Sequence, residues 1–145
     1  MPQTYIDTSA LLKAYVNEGG SDAFVAWMES EQTPCISPLS IVEMRCAVAR
    51  RTRVGLISTR RGASVLADFE AERDAARYRQ LDWPGAAFES ASELLERVSP
   101  VPLRALDALH LAVAQHFRCS GFATADRVQG EAAHRLGFTV YPFFT

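Results

Sequence analysis

Four acidic residues, Asp7, Glu43, Asp107 and Asp126, each stand just past a β-prone run or near the start of a helical pattern. Carboxylates gathered within ~4 to 6 Å of one another repel, and some must take up protons unless a divalent cation neutralises them. A set made of oxygen ligands alone, with no histidine or cysteine, favours Mg²⁺ or Mn²⁺ over zinc. Such a centre activates bound water and polarises a phosphodiester for in-line attack. Each residue also has a plainer reading. Asp7 can cap the first helix, Asp126 can cap the last with Gln129 three residues on, and Glu43 can be a solvated helix residue. Asp107 is harder to dismiss, because it sits in Leu103–Ala114, a helix apolar on most sides, where a charge is seldom buried alone.

The elements that must position these residues follow from the pattern of the chain. Thr4-Tyr5-Ile6 is a short strand ending at Asp7, and Thr8 and Ser9 hand it to a helix carrying Leu11, Leu12, Tyr15 and Val16. Ser21 is the expected N-cap of a second helix with Phe24, Trp27 and Met28 on one face. Thr33–Ser37 reads as a strand and Ser37-Pro38 as the entry to a helix bearing Ile41, Met44, Arg45 and Val48, with Glu43 elsewhere on the cylinder. Arg50–Arg61, with five arginines and no acid, is expected to be a turn between helices. The next helix carries Val65, Leu66, Phe69, Arg73 and Ala76. Gln80–Trp83 is a brief strand closed by Pro84-Gly85, and Ala87, Ala91, Leu94, Leu95 and Val98 mark another amphipathic helix.

After the apolar helix of Asp107, Gly121–Thr124 is a strand leading to Asp126. A helix through Val128, Ala132 and Leu136 and a closing strand over Phe138–Tyr141 complete the chain. Alternating strands and helices predict one three-layer α/β/α domain over residues 1–145 around a central, mostly parallel sheet. If the strands run parallel, right-handed crossovers gather the four carboxylates at one sheet edge, where open α/β sheets bind ligands.

Composition sets the outer bounds. At 145 residues the chain suits one domain, and 48% apolar with 22% charged residues is ordinary for a globule. The net charge of −2 offers no global attraction to polyanions, so a nucleic-acid partner must meet a local patch. Fourteen of the fifteen basic residues are arginine, with Lys13 the only lysine. Cys35, Cys46 and Cys119 form no close metal-binding pair and read as buried thiols in a reducing compartment. No apolar run approaches the ~18 residues of a membrane span, and the N-terminus lacks a signal-peptide pattern. The expectation is a cytoplasmic protein without membrane contact.

Taken together, Tyr5-Ile6-Asp7-Thr8-Ser9, Glu43, Leu106-Asp107-Ala108-Leu109-His110-Leu111-Ala112 and Ala123-Thr124-Ala125-Asp126 resemble the PIN domain family, and within it the VapC-type toxins of toxin-antitoxin pairs. The resemblance covers essentially the whole chain. It implies a Mg²⁺- or Mn²⁺-dependent endoribonuclease whose metal-activated water hydrolyses RNA to 5′-phosphate and 3′-hydroxyl ends. It also implies a cognate VapB-type antitoxin and a homodimer or dimer-based complex. By position Asp7, Glu43, Asp107 and Asp126 match the family's acidic quartet, and Thr8 or Ser9 and Thr124 match its supporting hydroxyls. Some members carry a further acid two residues after the fourth; here Val128 stands there, which leaves the number of metal ions open.

Arg50, Arg51, Arg53, Arg60 and Arg61 are candidates for tracking an RNA backbone, against a plain reading as a solvated turn. His110 is read as a structural hydrogen-bonding residue, and Phe143 and Phe144 as a packed tail. A haloacid-type phosphatase would want an acid at position 9, where Ser9 stands, and a phosphoacceptor receiver would want a late lysine. The alternative from another class is a non-catalytic PIN-fold module that binds nucleic acid or protein.

Overall fold

A computed structural model describes residues 2–31 and 33–145. Five short strands, β1 (Thr4–Ile6), β2 (Pro34–Ile36), β3 (Arg79–Gln80), β4 (Gly121–Thr124) and β5 (Thr139–Pro142), form one sheet in the order β3-β2-β1-β4-β5. Every pairing is parallel, with Tyr5 opposite Cys35 on one side and Phe122 on the other. The inner strands β1, β2 and β4 are buried on both faces, as a parallel sheet requires, while the edge strands β3 and β5 reach solvent. Tyr5, Cys35 and Phe122 point into one apolar layer and their neighbours Ile6, Ile36 and Ala123 into the other.

Seven helices cover the two faces: α1 (Thr8–Leu11, continued by a 3-10 turn over Leu12–Ala14), α2 (Ser21–Ser30), α3 (Pro38–Arg53), α4 (Thr59–Asp74), α5 (Ala87–Arg97), α6 (Ala105–His116) and α7 (Arg127–Arg135). Residues of α5, α6 and α7 fill the Tyr5 layer, and residues of α1 to α4 fill the Ile6 layer. In α6 a run from Ala108 to Ala114 is buried throughout, which makes it the central helix expected from its composition. The tail is packed, Phe143 lying against Phe24 and Trp27 and Phe144 beneath the Arg127 guanidinium.

Several local expectations need correction. The arginine-rich stretch is not one turn: Arg50, Arg51 and Arg53 form the last turn of α3, where cations meet the negative end of the helix dipole, and Arg60 and Arg61 open α4. No glycine or proline interrupts the chain between Pro38 and Gly55, so α3 runs on until Gly55, at φ 77°, reverses it. The N-cap of α2 is Gly20 at φ 84°, and Ser21 instead spans the turn, accepting from Glu18 N and donating to Val16 O. The edge strand β3 ends at Gln80, and α4 ends at Asp74 with Ala76 beyond it at φ 58°. Cys46 is exposed on α3, whereas Cys35 and Cys119 are buried.

Close packing at the sheet centre is visible at Gly121. A Cβ there would lie 2.6 Å from Thr4 Oγ1 and 2.8 Å from Tyr141 Cε2, so the residue that starts β4 has no room for a side chain.

Candidate metal centre

The chain proceeds from β1 outward to β2 and β3, then returns to place β4 and β5 on the other side of β1. The carboxyl ends of β1 and β4 therefore frame the switch point of the sheet, where ligands of open α/β folds bind. Asp7 follows β1, Thr124 and Asp126 close β4, α3 brings Glu43 from the end of β2, and α6 starts close enough to present Asp107. All four carboxylates line one cleft of about 870 Å³, together with Thr8, Ser9 and Arg104.

Asp7 is 4% exposed, and both of its oxygens are held. Ser9 N and Ser9 Oγ donate to Oδ2, at 3.1 and 2.5 Å, and Thr124 Oγ1 lies 3.5 Å from the same oxygen. Gln129 Nε2 donates to Oδ1 at 3.3 Å. The cap of α1 and the site residue are thus one side chain, and the two readings of Asp7 coincide. The same holds for Asp126, whose Oδ1 accepts from Val128 N and Gln129 N at 2.8 and 3.1 Å to cap α7, while Oδ2 faces the cleft.

Glu43 is fixed from two sides. Thr8 Oγ1 donates to Oε1 at 2.8 Å, and His110 Nε2 bonds the same oxygen. Burial acts to raise the Glu43 pKa, but the hydrogen bond and charge of His110 and the Thr8 hydroxyl outweigh it, and the net shift is downward. His110 is fully buried, with Nδ1 2.6 Å from the Tyr5 hydroxyl, which in turn lies 2.7 Å from Ser37 Oγ at the head of α3. Burial would lower its pKa. Tyr5, the Glu43 hydrogen bond and the Asp7 and Glu43 charges reverse this and hold it well above the usual histidine range. The imidazole ties β1, α3 and α6 together beneath the carboxylates, the structural role expected for it.

Asp107 is pushed up to about 6, first by burial and next by the Asp7 charge, with Arg104 acting the other way. Arg104 Nε donates to Asp107 Oδ2 at 3.3 Å and Nη2 lies 3.5 Å from Asp126 Oδ2. Arg104 at the rim and His110 at the floor are, among the described residues, the cations that touch these four carboxylates, while Lys13, Arg50, Arg51 and Arg53 line the rest of the cleft. Among the described residues, Asp7, Glu43 and His110 have ligand atoms all within 4.8 Å of one another. Asp107 and Asp126 share the cleft but lie outside that tight group. The carboxylates are hard oxygen ligands that suit a divalent cation, and His110, with both ring nitrogens already bonded to Tyr5 and Glu43, orients Glu43 and is not itself a free ligand.

Three contributors escaped the sequence reading. Gln129 is fully buried, accepts from Thr124 Oγ1 at 2.8 Å, and donates to both Asp7 Oδ1 and Asp107 O. Its only signal was its place three residues after a capping aspartate. Arg104 and Tyr5 gave none, because their roles depend on which helix crosses which strand end. Of the arginine candidates, Arg50, Arg51 and Arg53 line the cleft; Arg51 is paired with Glu18 at 3.1 Å. Arg61 bonds Tyr15 O at 2.8 Å, and Arg60 is exposed on α4 away from the cleft lining.

The sequence model of the PIN domain family matches residues 4–135. Among curated proteins none matches significantly. Among solved structures the fold is similar to VapC20 of Mycobacterium tuberculosis, described as a sarcin-ricin loop cleaving toxin, at 17% identity and a TM-score of 0.71 over 90% of this chain and 95% of that one. FitAcB of Neisseria gonorrhoeae is similar at 18% identity and a TM-score of 0.71, with 96% of each chain covered. DNA-bound VapBC of Salmonella typhimurium gives 16% identity, 99% coverage of both chains and a TM-score of 0.66.

Proposed function

Because the chain belongs to the PIN domain family, we propose that it is a Mg²⁺- or Mn²⁺-dependent endoribonuclease of the VapC toxin type, held inactive by a VapB-type antitoxin. The observation that carries this reading is the convergence of Asp7, Glu43, Asp107 and Asp126 on one cleft at the switch point of the sheet. Asp7, Asp107, Asp126 and Glu43 are the residues that would hold the cation. When bound it supplies a Lewis acid that polarises the scissile phosphate and makes water acidic enough to attack.

The chain's own part is orientation. Ser9 and Gln129 fix the plane of the Asp7 carboxylate, Thr124 holds the Gln129 amide, Thr8 and His110 fix Glu43, and the α7 cap fixes Asp126 with one oxygen left for the site. Preorganised ligands of this kind need little rearrangement during the reaction. Arg50 and Arg53 stand along the same cleft, where guanidinium groups meet phosphates of a strand leading away from the carboxylates. Antitoxin binding is supported by the toxin-antitoxin complexes among the similar folds and by Val42 and Leu106, which leave apolar surface exposed on the cleft wall. No helix among the described residues is long and apolar enough to cross a membrane.

Incubating the purified protein with a panel of tRNA, rRNA and mRNA in Mg²⁺ or Mn²⁺, and mapping the ends, tests the proposal. Discrete internal cuts with 5′-phosphate and 3′-hydroxyl ends are expected. An intact panel in both metals would overturn it and leave the binding-module reading.

A further inference from the structure

Arg104 is placed unlike any other arginine of the chain. It precedes α6 in an extended conformation, and its side chain is 79% exposed, yet both ends of its guanidinium face carboxylates from different elements, Asp107 of α6 and Asp126 at the head of α7. The oxygens it meets are the Oδ2 atoms; the Oδ1 of Asp126 is already taken by the cap of α7. An exposed ion pair contributes little to holding a fold together, and among the described residues Arg104 makes no other side-chain hydrogen bond. Its guanidinium is the positive charge that Asp107 Oδ2 and Asp126 Oδ2 both face.

We propose that Arg104 is a resident counter-ion of the metal-free centre. It competes with the divalent cation for Asp107 and Asp126 and, once displaced, offers its guanidinium to a phosphate of the RNA at the cleft mouth. The inference rests on the metal-nuclease reading. A planar fork of donors matches a phosphate as well as it matches two carboxylate oxygens. Extended backbone at Arg104 and high exposure leave the side chain free to swing without disturbing α6.

The test is calorimetric titration of the RNA-free protein with Mn²⁺, using wild type, Arg104→Gln and Arg104→Lys. Arg104→Gln is expected to bind Mn²⁺ roughly two- to fivefold tighter, and Arg104→Lys close to wild type. A structural lesion would weaken binding, so unchanged or weaker binding by Arg104→Gln overturns the competition. Asp107→Asn in the same titration is the control: if it binds Mn²⁺ as wild type does, the metal-centre reading fails on its own account. At saturating Mn²⁺, Arg104→Gln is expected to raise KM for RNA several-fold with kcat nearly unchanged, and an unaltered KM overturns the phosphate contact.

Discussion

At the scale of single residues the site works by conflict between burial and charge. Folding lifts Asp107 from the usual 3.8 to about 6, so the folded protein binds that proton more tightly than the unfolded chain. Stability is therefore lost as pH rises from about 4 to about 6, and above that the penalty is complete. Asp107→Asn is expected to stabilise the metal-free protein by on the order of 1–3 kcal/mol near neutral pH. The gain should vanish by about pH 4, as thermal melts across that range would register, while RNA cleavage is abolished throughout. A substitution that kills activity and raises stability marks a residue kept for function. Gln129→Leu should do the opposite to the fold: it strips the donor from Asp7 and the acceptor from Thr124 and is expected to cost about 1–3 kcal/mol in urea unfolding, with a 10- to 100-fold loss of activity typical of a ligand-orienting partner. That Asp7, Glu43, Asp107 and Asp126 share one cleft was legible in the sequence, because Asp7 and Asp126 follow strand ends and Glu43 and Asp107 stand early in helices that start beside them. Gln129 was not, because a buried amide looks like any glutamine until its neighbours are known.

Among elements, the sheet edge is assembled by packing that short-range signals describe only in part. Strand and helix order was readable throughout, since β1, β2, β4 and β5 carry compact apolar runs between turn residues and the polar edge strand β3 runs into Leu81. The end of α3 was not, because charge was taken for a turn although arginine favours helix and suits a helix C-terminus. That error matters for function, since the longer helix is what carries Arg50 and Arg53 along the cleft. The tie among β1, α3 and α6 through Tyr5, His110 and Ser37 likewise depends on three segments far apart in sequence. Thr4 of β1 and Tyr141 of β5 close in on Gly121 at the start of β4. Gly121→Ala pushes a methyl into Thr4 and Tyr141, and a loss of about 1–3 kcal/mol by thermal or urea unfolding is expected.

For the whole molecule, a chain of net charge −2 places Arg50, Arg51 and Arg53 on the same cleft as its four carboxylates, so the proposed RNA contacts are local and not global. Arg51 is paired with Glu18, so among the arginines of α3 the proposed phosphate contacts fall to Arg50 and Arg53. The double variant Arg50→Gln, Arg53→Gln is expected to weaken RNA binding across sequences and to flatten the dependence of log affinity on log salt by roughly 1–2 units in filter binding. An unchanged slope would return both residues to the solvated end of α3. The central claim, that the carboxylate cleft is a metal-dependent ribonuclease centre, is tested most directly by RNA cleavage with purified wild type in Mg²⁺ or Mn²⁺, in excess chelator, and with Asp7→Asn in the same metals. Cleavage confined to wild type with metal is the expected result. Undiminished cleavage by Asp7→Asn, or by wild type in chelator, would contradict it.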